Sequence, residues 1–299
     1  MRIIDVKDKI RELGVELPDI ESMWKMGDLT ALRRDDSGKY YRSNYERGLL
    51  LYAIVAKYRP VAVLEFGTGR GYGALSMARA MEDYGIDGRI YTVDIRGYSD
   101  REDWPIDYGD GPMSSVLSWS DIWNKHFPPE WTDRIQCINE NSVDAMEQWG
   151  KLGLPCPDLV FIDGGHGYET VKHDLYSALS VASDPFVIII DDYARKLDFG
   201  VCQLIDEEVE PVFNAELICT DRRWNGGENE RCVLPEHGMV FIDSANVTAD
   251  WHHAFQPKQL DEFKSKFRKH VHRQRRWGGL WKLVKPLANR MGYRRATGS

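Results

Sequence analysis

Three aspartates stand at the ends of apolar segments, where their carboxylates could do chemistry. Asp163 follows the run LVFI, and Asp191 and Asp192 follow the run VIII. If both runs are neighbouring strands of one sheet, the carboxylates meet at one point, where like charges raise a pKa or recruit a cation. Oxygen ligands of this kind suit Mg²⁺, Mn²⁺ or Ca²⁺. We therefore predict Asp163, Asp191 and Asp192 to be metal ligands.

A histidine, His166, lies three residues beyond Asp163 on the same loop. A metal lowers the pKa of a hydroxyl group, and a nearby base removes the proton. His166 is the first candidate for this base and Asp163 the second. Simpler roles stay open, because the paired aspartates could cap a helix or be solvated in a loop, and His166 could bond to the backbone.

A glycine-rich turn, GTGRGYG at residues 67–73, follows an earlier apolar segment. Glycines let the backbone turn sharply and approach a ligand closely, and a helix N-terminus favours negative groups. A dinucleotide-binding GxGxxG motif would need its last glycine at Tyr72. The pattern present is E-x-G-x-G-x-G beginning at Glu65, with Asp94 at the end of the next apolar segment. Alternatively, the glycines only make a tight turn and Asp94 caps a loop.

The acids at these strand ends favour S-adenosylmethionine over a dinucleotide. This cofactor has a sulfonium, an ammonium and a ribose, but no pyrophosphate. The carboxylate of Asp94 could accept hydrogen bonds from both hydroxyls of the ribose.

Five short apolar segments predict the strands that position these residues. A helix with Val171, Leu175 and Ala178 on one face separates the last two, and such alternation predicts a parallel sheet covered on both sides. AELICTDRRW and the segments CVLPEH and GMVFID predict a closing antiparallel hairpin. The five predicted strands are residues 61–66, 89–95, 134–142, 157–165 and 185–192.

The segments VLEFGTGRGYGALSMARA, YTVDI, DLVFIDGGHGYETVKHDL and VIIIDDY together resemble the class I S-adenosylmethionine-dependent methyltransferases. More narrowly, they are similar to a group with the pattern D-G-x-H-x-Y-x-x-V-x-x-D-L, which includes bacterial methyltransferases of sugars, antibiotics and cell-surface glycans. The resemblance covers residues 43–195. It implies an α/β Rossmann-like fold with a seven-stranded, mostly parallel sheet and an antiparallel C-terminal hairpin.

The resemblance also implies roles for individual residues. The acceptor would be a hydroxyl group of a small molecule or glycan. Asp191-Asp192 departs from the His-Asp that many members carry, and the three aspartates are similar to those of metal-dependent O-methyltransferases. The residues implied to bind the cofactor are Glu65, Gly67, Thr68, Gly69, Gly71 and Asp94, with Asn141 and Ser142 near the adenine.

The chain divides into three predicted parts. Residues 1–45 are expected to form a helical lid or substrate segment, residues 46–250 the methyltransferase domain, and residues 251–299 a basic amphipathic tail. The aromatic-rich insert 96–132 is too long for a plain connector and could be a lid or could serve packing.

Charge separates the tail from the rest of the chain. The net charge of −8 divides into +11 in residues 258–299 and −19 in the first 257 residues. Basic amphipathic segments with Trp277 and Trp281 favour an anionic membrane surface, contacted through residues 258–295. Packing on the domain or on a partner subunit of a homo-oligomer is the alternative.

Other function classes fit the sequence less well. A nucleic-acid methyltransferase would use the tail to grip phosphates, but the rest of the chain is acidic and has no N-P-P-Y-type pocket. A catalytically silent cofactor-binding module is opposed by the intact acids, and an NAD-dependent oxidoreductase by the glycine spacing. Five scattered cysteines, no secretory signal and no bilayer-spanning apolar run predict a cytoplasmic protein, with the tail on the inner face of a membrane.

Overall fold

A central sheet of eight strands organises the chain in the computed structural model, which describes residues 1–197, 199–221, 233–247 and the single residues 251, 255 and 264. The strand order is β1-β11-β12-β10-β9-β4-β5-β8, with two-stranded sheets β2-β3 and β6-β7 beside it. The strands are β1 (Arg2–Asp5), β2 (Arg33–Arg34), β3 (Tyr40–Tyr41), β4 (Ala62–Phe66), β5 (Arg89–Asp94), β6 (Glu102–Asp107), β7 (Pro112–Leu117), β8 (Ile135–Asn139), β9 (Leu159–Ile162), β10 (Val187–Ala194), β11 (Glu216–Asp221) and β12 (Val233–Asp243).

Helices cover both faces of this sheet. A π-helical turn, Ile205–Val209, continues the last of them. The α-helices of the described residues are α1 (Val6–Leu13), α2 (Ile20–Thr30), α3 (Glu46–Tyr58), α4 (Tyr72–Asp83), α5 (Trp119–His126), α6 (Pro129–Thr132), α7 (Ser142–Trp149), α8 (Tyr168–Leu179) and α9 (Gly200–Leu204). Short 3₁₀ turns lie at Arg195–Leu197 and Ser244–Asn246.

Alternation along the central strand explains the two layers. Val63 of β4 belongs to a core shared with Leu50 of α3, whereas Leu64 belongs to a core shared with Leu175 of α8. Successive side chains of a strand point to opposite faces, so a continuously apolar strand requires cover on both sides. The predicted doubly covered α/β fold is confirmed.

The chain reverses direction across the sheet between β4 and β9. From β4 it proceeds outward to β5 and β8, and then crosses to β9 and β10 on the other side of β4. Strands β4, β5, β8, β9 and β10 pair in parallel, and only β12 runs antiparallel to its neighbours in this sheet. A crevice opens at the carboxyl ends of the strands where the order reverses.

The sheet has one strand more than predicted, because β1 pairs in parallel with β11. Residues 1–45 were expected to be helical, and α1 and α2 are, but the first four residues after Met1 form this edge strand. A segment as short as RIID has no readable period, and its backbone takes the strand conformation through hydrogen bonds to β11.

The 96–132 insert is ordered rather than irregular. It contains the hairpin β6-β7 and the helices α5 and α6. Three of its four tryptophans, Trp104, Trp119 and Trp123, are each at most 2% exposed. These three side chains therefore serve packing, one of the two roles open to this insert.

Candidate active site

A cavity of about 680 Å³ opens at the carboxyl ends of β4, β9 and β10, where the strand order reverses. The N-terminal segment between residues 30 and 47 and the edge of the β6-β7 hairpin close its far side. The predicted site residues that line this cavity are Glu65, Gly67, Thr68, Gly69, Asp163, His166 and Asp192. The structure therefore brings predicted cofactor and acceptor residues into one space.

Three glycines of the turn serve different purposes. All adopt positive φ, at +90° for Gly67, +58° for Gly69 and +95° for Gly71, a region that favours glycine. A Cβ atom on Gly67 would lie 2.2 Å from the carbonyl oxygen of Asp163, and one on Gly71 would lie 2.1 Å from the Trp123 ring. A Cβ atom on Gly69 would meet nothing within 4 Å. Gly69 is thus the glycine that faces open space, whereas Gly67 and Gly71 allow close packing.

Glu65 places a buried carboxylate below the turn. Its side chain accepts a hydrogen bond from the Thr92 hydroxyl, which in turn lies 2.6 Å from the Thr68 hydroxyl. A Cβ atom at position 73 would lie 2.5 Å from Oε1 of Glu65, so a larger residue there would displace this carboxylate. Burial raises the pKa of Glu65 to about 8. The carboxylate therefore needs a cationic neighbour to be ionised at neutral pH.

The remaining predicted cofactor residues, Gly71, Asp94, Asn141 and Ser142, are not part of the cavity wall. Asp94 accepts hydrogen bonds from the backbone N–H of Gly69 at 3.1 Å and of Arg96 at 3.0 Å. Asn141 caps α7 through its bond from the Asp144 backbone N–H, and Ser142 is the first residue of that helix. Asp94 is thus tied to the glycine turn, and the cofactor roles of Asp94, Asn141 and Ser142 stay predictions.

The three predicted metal ligands do converge. Asp163, Asp191 and Asp192 each offer a carboxylate oxygen, and these oxygens lie within 4.8 Å of one another. Consecutive residues of a regular strand would point to opposite faces, but the pairing of β10 with β12 is irregular between Ile190 and Tyr193, and Asp192 has a φ of +64°. This bulge brings both neighbouring carboxylates to the same cluster.

An arginine that the sequence did not single out lies within this cluster. Nη1 of Arg47, in the first turn of α3, donates to Asp163 at 2.6 Å and to Asp191 at 2.8 Å. Burial raises the pKa of Asp163 to about 7 although Arg47 opposes this shift. No spacing relates Arg47 to the aspartates, so only the fold reveals this contact.

His166 pairs with the third aspartate. Its Nδ1 lies 2.8 Å from Oδ2 of Asp192, and its ring stacks on Phe199 with 5.1 Å between centroids. The hydrogen bond to Asp192 raises the pKa of His166. This is a contact between two side chains, unlike the alternative in which His166 bonds only to the backbone.

The insert fixes the glycine turn from outside. The indole N–H of Trp119 donates to the carbonyl oxygen of Gly69 at 2.9 Å, and that of Trp123 donates to the carbonyl oxygen of Arg70 at 3.2 Å. Arg70 reaches back to donate to the carbonyl oxygens of Leu32 and Pro105. These bonds join the turn, the N-terminal segment and the hairpin into one cavity wall.

Comparison with known proteins identifies the domain. The model of a family described as a methyltransferase domain matches residues 64–193, which include the turn, the Asp163 loop and the Asp191-Asp192 pair. Residues 64–193 are a methyltransferase domain. This match confirms the predicted class I S-adenosylmethionine-dependent methyltransferase, and the cavity lies in the region it covers. Among curated proteins, none matches the sequence significantly.

Solved structures similar to the chain include two O-methyltransferases. One, from Bacillus cereus in complex with SAH, is 16% identical, with a TM-score of 0.49 over 80% of this chain and 97% of that one. The other, from Streptomyces achromogenes, is involved in tomaymycin synthesis and was solved in complex with SAM. It is 16% identical, with a TM-score of 0.48 over 79% of this chain and 95% of that one.

Proposed function

We propose that this methyltransferase domain transfers the methyl group of S-adenosylmethionine to a hydroxyl group of a small-molecule or glycan acceptor. The observation that carries the proposal is the single cavity that joins the glycine turn to the acidic cluster, since Gly69 and Asp163 line the same 680 Å³. A methyl donor on the turn and a hydroxyl group at the cluster would be neighbours. Holding two reactants side by side in this way removes a large part of the barrier.

Glu65 is suited to the ammonium group of the cofactor. Its pKa of about 8 reflects burial without a full counter-charge, and a bound cation would restore the ionised form. Asp94, at the end of the next strand, would accept hydrogen bonds from the ribose hydroxyls. Gly69 would leave the space into which the cofactor fits, because nothing lies within 4 Å of the position of its missing Cβ atom.

Methyl transfer to a hydroxyl group releases one proton. The acceptor oxygen forms a bond to the methyl carbon as the carbon–sulfur bond breaks, the sulfonium becomes a neutral thioether, and the proton passes to a base. With a pKa of about 7, Asp163 is close to the ideal for a base at neutral pH. His166 is the other candidate for this base, and its hydrogen bond to Asp192 raises its pKa.

A divalent ion would be held by Asp163, Asp191 and Asp192. Three carboxylate oxygens within 4.8 Å of one another form a donor set that suits Mg²⁺ or Mn²⁺. Bound there, the ion would lower the pKa of the acceptor hydroxyl. Arg47 already contacts two of the three carboxylates, so the residues fit an ion provided that Arg47 gives up these contacts. Arg47 and the ion would therefore compete for the carboxylates of Asp163 and Asp191.

The proposal is tested with labelled cofactor and a panel of sugars, glycosides and phenols as acceptors. We expect label in a hydroxyl-bearing acceptor, and a loss of kcat of about 10²-fold or more in Asp163→Asn, because that is the usual contribution of a general base. Asp87→Asn, at an exposed position outside the cavity, is the matched control.

The same assay tests the metal. Activity should fall in EDTA and return with Mg²⁺ or Mn²⁺. Full turnover in EDTA would exclude a role for the metal in the reaction. Asp163 would then act as a base without a metal. Bound cofactor with no label in any hydroxyl-bearing acceptor would contradict the proposed reaction.

We also propose that the basic tail contacts an anionic membrane surface. Apart from Lys264, residues 258–295 lie outside the described residues, so this proposal depends on their sequence alone. No helix among the described residues is both long and apolar enough to span a bilayer. A homo-oligomer, the other expected partner, is likewise a proposal, and the acidic charge of the first 257 residues argues against nucleic acid.

A further inference from the structure

A second cavity, of about 490 Å³, lies between α1, α2 and the start of α3. Its wall is mainly apolar, unlike that of the first cavity, which is lined mostly by charged and polar residues. The apolar part of the wall includes Val6, Ile10, Leu17, Ile20 and Leu49. A cavity of this size and composition is typical of sites for small, partly apolar ligands.

Asn44 lies in the walls of both cavities. It is 5% exposed and adopts a φ of +56°, which is uncommon for a residue other than glycine. Its Nδ2 donates to Asp191 at 3.4 Å, but its Oδ1 is buried without a hydrogen-bond partner. A buried acceptor atom left unpaired is costly, and here it lies between the acidic cluster and the apolar cavity. The atom therefore points to a ligand that supplies a donor.

The charged residues in the wall of the apolar cavity limit which molecules could occupy it. Lys7, Arg11 and Arg42 lie on the wall of the apolar cavity together with Glu46 and Asp221. Arg11 and Arg42 are paired with Asp8 and Asp28, so this wall has little net charge with which to attract the chain's own basic tail, at +11. A neutral amphiphile needs no such attraction, and its apolar part matches the wall.

We propose that the 490 Å³ cavity binds the apolar part of the methyl acceptor, while the hydroxyl-bearing part passes Asn44 to reach Asp163. This inference rests on the proposed function and deepens it. The acceptor is an amphiphile, such as a sugar or hydroxylated ring with an alkyl chain or an apolar aglycone. A hydroxyl or amide group of the acceptor donates to Oδ1 of Asn44 at the junction.

Binding of alkyl glucosides to the full-length protein tests the inference. Methyl, hexyl, octyl and decyl β-glucoside are titrated below their micelle concentrations by calorimetry, with S-adenosylhomocysteine present. Each buried methylene should tighten binding about fourfold until the cavity is full. Methyl glucoside should bind weakest. Equal affinity along the series, or no binding of any member, overturns the inference.

Ile20→Trp fills the cavity with little risk to folding, because Ile20 is 47% exposed. Leu152→Trp is the matched control, since Leu152 is 59% exposed and lies outside the cavity. We expect Ile20→Trp to weaken octyl glucoside at least tenfold and Leu152→Trp to leave it unchanged. Equal effects of the two variants, or no effect of Ile20→Trp, would mean that octyl glucoside binds outside the apolar cavity. Either result would overturn the inference.

Asn44→Gly tests the junction, because glycine accepts the positive φ and removes only the amide side chain. This variant should weaken the binding of octyl glucoside at least threefold. Unchanged binding would show that Asn44 does not contact the acceptor. Sedimentation tests whether a second copy of the chain, rather than the acceptor, occupies the apolar cavity. A dimer that Ile20→Trp dissociates would overturn the inference.

Failure of the inference is distinguishable from failure of the proposed function. Cofactor binding and methyl transfer to hydrophilic hydroxyl acceptors report on the proposed function alone. If these persist while the glucoside series shows no chain-length dependence, only the inference fails. If cofactor does not bind, the proposed function fails first.

Discussion

Replacing Arg47 by methionine tests the electrostatic account of the acidic cluster. Arg47 is 12% exposed in its side chain and contacts Asp163 at 2.6 Å and Asp191 at 2.8 Å. Methionine keeps an unbranched stem of similar length but removes the charge. The variant therefore leaves three carboxylates whose oxygens lie within 4.8 Å of one another, with the His166 ring bonded to one of them, Asp192.

Removing one partner of a buried ion pair costs about 3–5 kcal/mol, because the remaining charge is left uncompensated. Arg47 opposes the upward shift of the Asp163 pKa, which is about 7 in its presence, so the pKa rises further in the variant. Protonation then relieves part of the repulsion. We expect Arg47→Met to lower the free energy of unfolding by about 3 kcal/mol at pH 8, and by less at pH 5.5, where Asp163 is protonated.

Denaturant unfolding at the two pH values, with and without Mg²⁺, measures this loss. Arg34→Met is the control, since Arg34 also lines the cavity but pairs with Asp103 at the surface, with 38% and 57% of the two side chains exposed. A surface pair is worth about 0–1 kcal/mol. Mg²⁺ should restore part of the stability of Arg47→Met, because the ion can take the vacated place. Equal small losses in the two variants, or a loss that grows as the pH falls, would refute the reasoning.

Three further predictions concern the cofactor and the tail. If the ammonium group of the cofactor pairs with ionised Glu65, whose pKa is about 8, cofactor affinity should rise with pH by up to tenfold per unit below pH 8 and then level off. Calorimetry on Glu65→Gln should show this dependence lost, and a flat wild-type profile would contradict it. Asp94→Ala should weaken cofactor binding by about 1–3 kcal/mol, and unchanged affinity in the same titration would exclude the ribose contact. The protein should sediment with anionic liposomes, and replacing Trp277 and Trp281 by Ser should abolish this without loss of cofactor binding. Full liposome binding by that double variant would refute membrane contact through these side chains.

The sign of the wild-type pH dependence follows from the same two acids. Burial raises the pKa of Asp163 to about 7 and of Glu65 to about 8, both above their unfolded values. The folded state then binds more protons than the unfolded state in the window up to pH 8. Stability without ligand should therefore fall as the pH rises from about 4 to 8, and denaturant midpoints across this range measure the trend.

The motif predicts the same role, close approach to the cofactor, for all the glycines of the turn. The space around these glycines differs from one to the next. A Cβ atom on Gly67 or Gly71 would collide with protein atoms, from Asp163 and Trp123 respectively, whereas one on Gly69 would face open space. The motif cannot reveal this, because the collision partners come from segments distant in the chain. The contacts of these glycines with the cofactor stay predictions.

The sequence alone determined the order of the five core strands β4, β5, β8, β9 and β10, the glycine turn and the acids at the strand ends. These are local features, since apolar periodicity, turn residues and residue spacing follow from the neighbouring chain. Asp163, Asp191 and Asp192 could be brought together in advance because the carboxyl ends of adjacent parallel strands meet at one edge. The glycine turn between Glu65 and Asp94, together with the resemblance to class I methyltransferases, predicted the class of enzyme.

Tertiary structure decided what surrounds those acids. Arg47 and Asn44 reach the cluster only because the start of α3 and the residues before it lie at the carboxyl end of the sheet, and the edge strand β1 exists only because β11 offers a partner. Charge compensation and burial depend on atoms that lie more than a hundred residues away in the sequence, as Arg47 does from Asp163. Such contacts leave no period or spacing in the chain, so the environment of the site comes from the fold.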